Sequence, residues 1–178
     1  MHRETLHAPQ PNILATRQSR EPNPRPGKLR FPARSAAMKI TPYLIFNGQC
    51  EAAFKRYELV LGGKIAMLMR FGEAPGSKDM PAGMRDQVMH VSMTIGDQLL
   101  MGSDSPPEHF EKAGGMSVSI SVDDRDEGQR IFNALADGGT VRMAFEETFW
   151  AKGFGMCVDR FGTPWMVSGG NKDMGSHA

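Results

Sequence analysis

From position 39 onward, apolar and polar residues fall into short periodic blocks, and the periods indicate the elements. ITPYLIF (40–46) reads as a strand. EAAFKRYELVLGG (51–63) places Ala53, Phe54, Tyr57 and Leu61 near helical spacing and stops at Gly62-Gly63. KIAMLMRF (64–71) alternates again as a strand does. A Gly/Pro-rich loop covers 72–86, after which VMHVSMTI (88–95), Gly96-Asp97 and QLLMGSD (98–104) predict a hairpin on a two-residue turn. Beyond the loop SPPEHFEKAGG the same order restarts. It runs through a strand at 116–122, a helix at 126–137, Gly138-Gly139 and a strand at 140–145. A loop containing FWAKGFG, a strand near 154–158, a DRFG turn and a last strand TPWMVSG complete it.

The restart is an internal repeat. A shift of 76 residues superposes Gly62-Gly63 on Gly138-Gly139, Glu51 on Glu127 and Met67 on Met143, while a shift of 66 carries Gly96 to Gly162 and Leu100 to Met166. Two βαβββ units in tandem follow, an α+β architecture, with units at about 39–104 and 116–169 inside a domain spanning 38–170.

Composition changes this picture only at the ends. Residues 1–37 hold six of the twelve prolines and seven Lys/Arg against two acids, a net +5, which leaves the rest of the chain at −4. Such a segment cannot bury enough apolar surface to offset the entropy of ordering it, so disorder is expected there. An organelle-targeting peptide or a nucleic-acid arm would use the same arginines, but the prolines interrupt any amphipathic helix. An upstream extension before a start at Met38 is the plainer account. Residues 171–178 are expected to form a flexible tail. The overall charge of +1 favours no nucleic-acid partner. No apolar run approaches the roughly eighteen residues of a membrane span. Cys50 and Cys157 stand alone, outside any CxxC pair, which points to a reducing cytoplasm.

Alternation assigns the side chains to faces. In SVSISV, Val118, Ile120 and Val122 point one way, and Ser117, Ser119 and Ser121 point the other. The repeat carries that assignment to Thr41, Tyr43 and Ile45. In the hairpin, His90, Ser92 and Thr94 share a face, with His90 opposite Ser103 and beside Asp104. His90 and Asp104 are therefore catalytic candidates on a polar strip, with His90 as proton carrier or anion donor. A structural hydrogen bond across the hairpin would use the same residues. Met67, Met69, Met93, Met101, Met143, Met156 and Met166 form an unusually Met-rich sheet, suited to an adaptable ligand cleft or to core filling. Trp150, in a loop, is a candidate for holding an aromatic ligand, whereas Trp165 fits core packing. Arg70 is a candidate anion binder or a solvated edge charge.

TPYLIFNGQCEAAFKRYELVLGG, MHVSMTIGDQLLMGSD and FW…DRFGTPWMV together resemble the PhnB-like branch of the vicinal-oxygen-chelate superfamily, which includes glyoxalases, dioxygenases and bleomycin-resistance proteins. The resemblance covers roughly 39–169. Members often carry a 3-demethylubiquinone methyltransferase-like label, yet no strand here leads into a Gly-rich loop suited to a methyl-donor nucleotide. The resemblance implies a glyoxalase-like fold, a concave ligand cleft and a homodimer that closes it. Metal-using members take His, Glu or Gln ligands from two strand positions per unit, and those positions align with Thr41, Leu100 or Met101, Ser117 and Met166. These side chains are poor ligands for a divalent metal, so no cofactor is expected.

Three functions remain open. The first is metal-independent binding of a small aromatic or anionic molecule, with Tyr43, Arg70, His90, Ser92, Asp104, Ser117, Ser119, Trp150 and Met166 as ligand-binding candidates. The second is a lyase, isomerase or dioxygenase type of enzyme using His90 and Asp104, or a metal relocated to them. The third is a non-catalytic regulatory partner.

Overall fold

A computed structural model describes residues 38–77 and 80–172, so the expected N-terminal extension lies outside the described residues. Unit one comprises β1 (Tyr43–Phe46), α1 (Cys50–Leu61), β2 (Lys64–Arg70), β3 (Val88–Ile95) and β4 (Gln98–Asp104), with a short helix α2 (Ala82–Arg85) in the loop before β3. Unit two comprises β5 (Val118–Val122), α3 (Arg125–Ala136), β6 (Thr140–Glu146), β7 (Ala151–Val158) and β8 (Pro164–Asn171). The sheets run β1-β4-β3-β2 and β5-β8-β7-β6. In each, the first strand lies parallel to the last and the other pairings are antiparallel. This is the tandem βαβββ fold that the repeat requires.

Three differences from the sequence expectation bear on the site. β7 begins at Ala151, inside the stretch read as a loop, because Gly153 and Gly155 interrupt the apolar alternation there. Those glycines are there for packing: a Cβ on Gly153 would sit 2.2 Å from the Phe145 ring, and one on Gly155 would sit 2.7 Å from Phe132. β8 runs through Asn171, and Lys172 N donates to Trp150 O at 2.8 Å, so the flexible tail does not begin at 171.

The third difference concerns the second repeat shift. Strand register pairs Tyr43 with Met101 and Ser119 with Met166, which makes Met101, not Leu100, the counterpart of Met166. The shift of 66 aligned two turn glycines whose turns differ in length. Ile95 pairs directly with Gln98, whereas Val158 and Pro164 flank a five-residue connection, Asp159 to Thr163.

The helix-facing sides of both sheets contribute to one core, with Phe46, Phe54, Tyr57, Val91, Met93, Phe132, Trp165 and Val167 buried together. Asp159 ties the units across it. Its Oδ2 accepts from Tyr57 Oη of α1 at 2.6 Å and from Trp165 Nε1 at 2.8 Å, and its Oδ1 accepts from Phe161 N and Thr163 N, both at 2.9 Å. Two arginines link the helices, as Arg56 Nη2 donates to Ala134 O at 3.0 Å and Arg130 Nη2 donates to Val60 O at 2.9 Å. Among the described residues, no helix is long and apolar enough to cross a membrane.

Candidate functional site

With the helices on one side, each sheet leaves its other face open. On unit one, pairing aligns Tyr43, Met101, Ser92 and Met67 in one row across all four strands, and sets His90 beside Met69 in the next. On unit two, the equivalent row is Ser119, Met166, Met156 and Met143. On β1 the alternation holds: Tyr43 and Ile45 are exposed, while Phe46 on the other face is buried. Met101 and Met166 therefore lie on open faces and are not core filler, whereas Met93 is fully buried.

Tyr43 and His90 meet diagonally across the unit-one face. Tyr43 Oη lies 3.1 Å from His90 Nδ1, and the rings stack with centroids 5.8 Å apart. If the phenol donates, the neutral imidazole carries its proton on Nε2, a geometric assignment of the tautomer. That arrangement leaves Nε2–H as the free donor.

Asp104 does not join them. One residue beyond Ser103, it points to the helix side and is 5% exposed. There its Oδ1 accepts from Cys50 N at 2.9 Å, at the start of α1, and its Oδ2 accepts from Val88 N at 2.9 Å. The expected His90–Asp104 pair, and any metal relocated to it, is thus corrected: strand alternation separates the two groups, and the carboxylate holds backbone donors that would otherwise be orphaned. Unit two caps α3 differently, with Asp124 Oδ1 accepting from Glu127 N at 2.8 Å.

Arg70 is also engaged elsewhere. Its guanidinium donates to Glu51 Oε2 and to Asp86 O, both at 2.7 Å, pinning the loop after β2 to α1. A hydrogen bond from Lys55, followed by the one from Arg70, holds the Glu51 carboxyl below its ordinary range. The remaining candidates divide between the sheets. Tyr43, His90 and Ser92 lie on unit one, and Ser117, Ser119, Met166 and Trp150 on unit two. No strand of one sheet pairs with the other among the described residues, so one chain does not gather them into a single cleft.

The unit-two face has two ends. At one, Trp150 packs edge-on against Phe154 at 5.5 Å, and Phe149 stands 74% exposed beside it. At the other, a cleft of about 330 Å³ opens between the linker glycines Gly114 and Gly115, Ser117, Arg142, Met156 and Met166. Sequence reasoning named Ser117 and Met166 but not Arg142 or the linker. The β7–β8 register, unreadable before the turn length is known, is what brings Met156 beside Met166.

Neither thiol is a nucleophile. Both are buried, and burial pushes the Cys157 thiol up to about 11 and the Cys50 thiol higher still. Nor do the open rows fit a divalent metal. They offer a phenol, hydroxyls, thioethers and one imidazole already bonded to Tyr43, and no group of three or more His, Cys, Asp or Glu gathers among the described residues.

Comparison with known proteins places this geometry in a family. Residues 38–168 match the family described as 3-demethylubiquinone-9 3-methyltransferase. Protein YjdN of Escherichia coli (strain K12) is 35% identical over 139 residues, covering 74% of this chain and 95% of YjdN. The crystal structure of protein PA1353 from Pseudomonas aeruginosa superposes with a TM-score of 0.69 at 45% identity, covering 75% of this chain and 98% of that one. A putative 3-demethylubiquinone-9 3-methyltransferase, PhnB protein, from Bacillus cereus gives a TM-score of 0.64 at 25% identity, with 74% and 99% covered.

Proposed function

The chain belongs to the PhnB-like family described as 3-demethylubiquinone-9 3-methyltransferase, and on that premise we propose that it binds a small molecule against its open sheet faces without a metal. The observation that carries this reading is the row of thioethers and small polar groups on each open face. Methionines adapt to varied apolar shapes, and a few hydroxyls fix orientation. The open faces also expose large apolar side chains, with Tyr43 at 43%, Met67 at 50% and Met143 at 41%. Apolar surface of this kind marks a face that something covers. A twofold dimer does so: a unit-one face of one copy meets a unit-two face of the other, making two equivalent clefts. Tyr43, His90 and Ser92 would then share a cleft with the partner's Ser119 and the partner's Met166. Two reduced thiols suit the cytoplasm as its place of work.

The test combines assembly and binding. Light scattering should give about twice the 19.6 kDa chain mass. A thermal-shift screen of aromatic metabolites and antibiotics should find compounds that raise Tm. Met166→Glu, on an open face, should abolish that rise while leaving the unliganded Tm nearly unchanged. A monomer whose Tm no compound moves would overturn the reading.

A second reading, acid–base catalysis, rests on the Tyr43–His90 contact. It requires His90→Gln to abolish turnover while the Tm rise with ligand remains.

A further inference from the structure

We infer that the cleft on unit two selects an amphipathic oxyanion, a carboxylate or phosphoryl group on an apolar body, and that Arg142 is its anchor. The inference rests on the small-molecule reading above and adds the charge of the ligand and the residue that reads it.

Among the described residues, the other arginines are all engaged. Arg56 and Arg130 bond backbone carbonyls, Arg70 and Arg160 bond acids, Arg125 donates to Lys152 O, and Arg85 to Met80 O. The Arg142 side chain makes no hydrogen bond or ion pair with any described residue. It sits on β6, an edge strand, where a free charge would also serve to deter sheet-to-sheet association. Arg142 is exposed, as a deterrent charge would be, but it also lines the cleft of about 330 Å³.

The rest of that lining defines the ligand. Arg142 is its one charged residue among those described, with no carboxylate to neutralise it. Ser117 offers a hydroxyl, and Gly114 and Gly115 bring linker backbone without side chains to the lining. Met156, Met166 and Pro164 form an apolar floor. The volume lies at the lower end of the range for small-ligand sites. A guanidinium presents a planar fork that matches an oxyanion with two bonds, and thioethers pack well against aromatic bodies. An anion with a flat apolar body satisfies both ends, whereas a cation or a fully polar solute satisfies neither.

The probes are 2-naphthoate and its neutral counterpart 2-naphthamide, added to the full chain carrying 13C-methyl methionine. In the wild type, naphthoate should shift the Met156 and Met166 methyl signals and bind about tenfold more tightly than the amide, as expected of a charge-assisted pair that is partly solvated. Arg142→Gln should erase that difference, and Arg142→Lys should keep part of it. The side chain is exposed, so both variants should fold, and an unchanged methionine spectrum without ligand checks this. Equal binding of acid and amide, no effect of Arg142→Gln, or shifts confined to Met67, Met69 and Met101 would overturn the inference but leave the small-molecule reading standing. A spectrum that neither probe moves at any methionine would also overturn the inference, whereas the small-molecule reading falls only if the thermal-shift screen finds no compound that raises Tm.

Discussion

Replacing Asp159 with alanine should destabilise the protein more than any other single polar substitution in the core. The carboxylate is 6% exposed and accepts four hydrogen bonds. Alanine removes all four acceptors, but the donors are not equally stranded. Tyr57 Oη keeps Thr163 Oγ1 at 3.0 Å, and Phe161 N, at a half-buried residue, can reach water. Trp165 Nε1 and Thr163 N are left buried without partners. At about 1–3 kcal/mol for each orphaned donor, plus the lost charge-assisted bond from Tyr57, the expected cost is about 3–5 kcal/mol. That is a large share of an ordinary domain's 5–15 kcal/mol or so. The assay is equilibrium urea unfolding, in which the midpoint should fall with little change in slope. Because Tyr57 belongs to unit one and Asp159 to unit two, Tyr57→Phe should cost much less in the Asp159→Ala background than alone, with a coupling of about 1–2 kcal/mol. A loss under about 1 kcal/mol for Asp159→Ala, or strict additivity with Tyr57→Phe, would refute this account of how the units are joined.

Asp104→Ala should cost about 2–3 kcal/mol in the same assay, since it orphans Cys50 N and Val88 N, yet leave ligand-induced Tm shifts intact. A variant with normal stability but no ligand response would return Asp104 to the binding face. Both thiols should resist a disulfide reagent at pH 8 in the native state and react on unfolding, because burial raises their pKa, to about 11 for Cys157. Rapid stoichiometric labelling of native protein would contradict that. Glu51 is held below its unfolded pKa, so its pairing with Lys55 and Arg70 contributes stability above the ordinary carboxylate range and loses it as pH falls through the depressed folded value. Glu51→Gln should therefore flatten the acid limb of the stability profile, slightly and less so in high salt, because the group is largely solvated. An acid limb identical to wild type at low ionic strength would show that the pairs contribute nothing.

The fold was legible because its period is written twice. Strands such as β3 and β5 alternate, the two long helices end at or just before a glycine pair, and one shift of 76 carries Met67 onto Met143. The faces were legible too: Tyr43, His90, Ser92 and Ser119 lie on the open sides where alternation placed them, and Trp165 is buried, as its flanking turn suggested. Asp104 was misread although its register was right. Opposite-face geometry already set it apart from His90 and Ser103, but the chemistry of a nearby His and Asp outweighed the period of two. What the carboxylate does instead depends on the entry of α1 and the bulged start of β3, two features of three-dimensional closure.

The site was harder to read for a reason that belongs to this architecture. Faces follow from parity within a strand, but which residues share a row depends on register between strands, and register is set by turns. The two-residue turn at Gly96-Asp97 is readable and gave the β3–β4 register correctly, with His90 opposite Ser103. The connection from Asp159 to Thr163 is three residues longer, and Asp159 stabilises it by accepting from Phe161 N and Thr163 N within the turn itself. That carboxylate serves two purposes: it fixes the β7–β8 register that sets Met156 beside Met166, and it binds Tyr57 of the other unit. The residue holding the units together thus also positions the floor of the unit-two cleft. A conservative Asp159→Asn change keeps one acceptor oxygen but turns an amide donor toward Trp165 Nε1 or toward the turn amides. It should therefore weaken naphthoate binding as well as stability, although Asp159 reaches the cleft lining only through Trp165, whose Nε1 donates to it. Binding unchanged in a folded Asp159→Asn protein would separate the two roles and place control of the register in the β-sheet pairing alone.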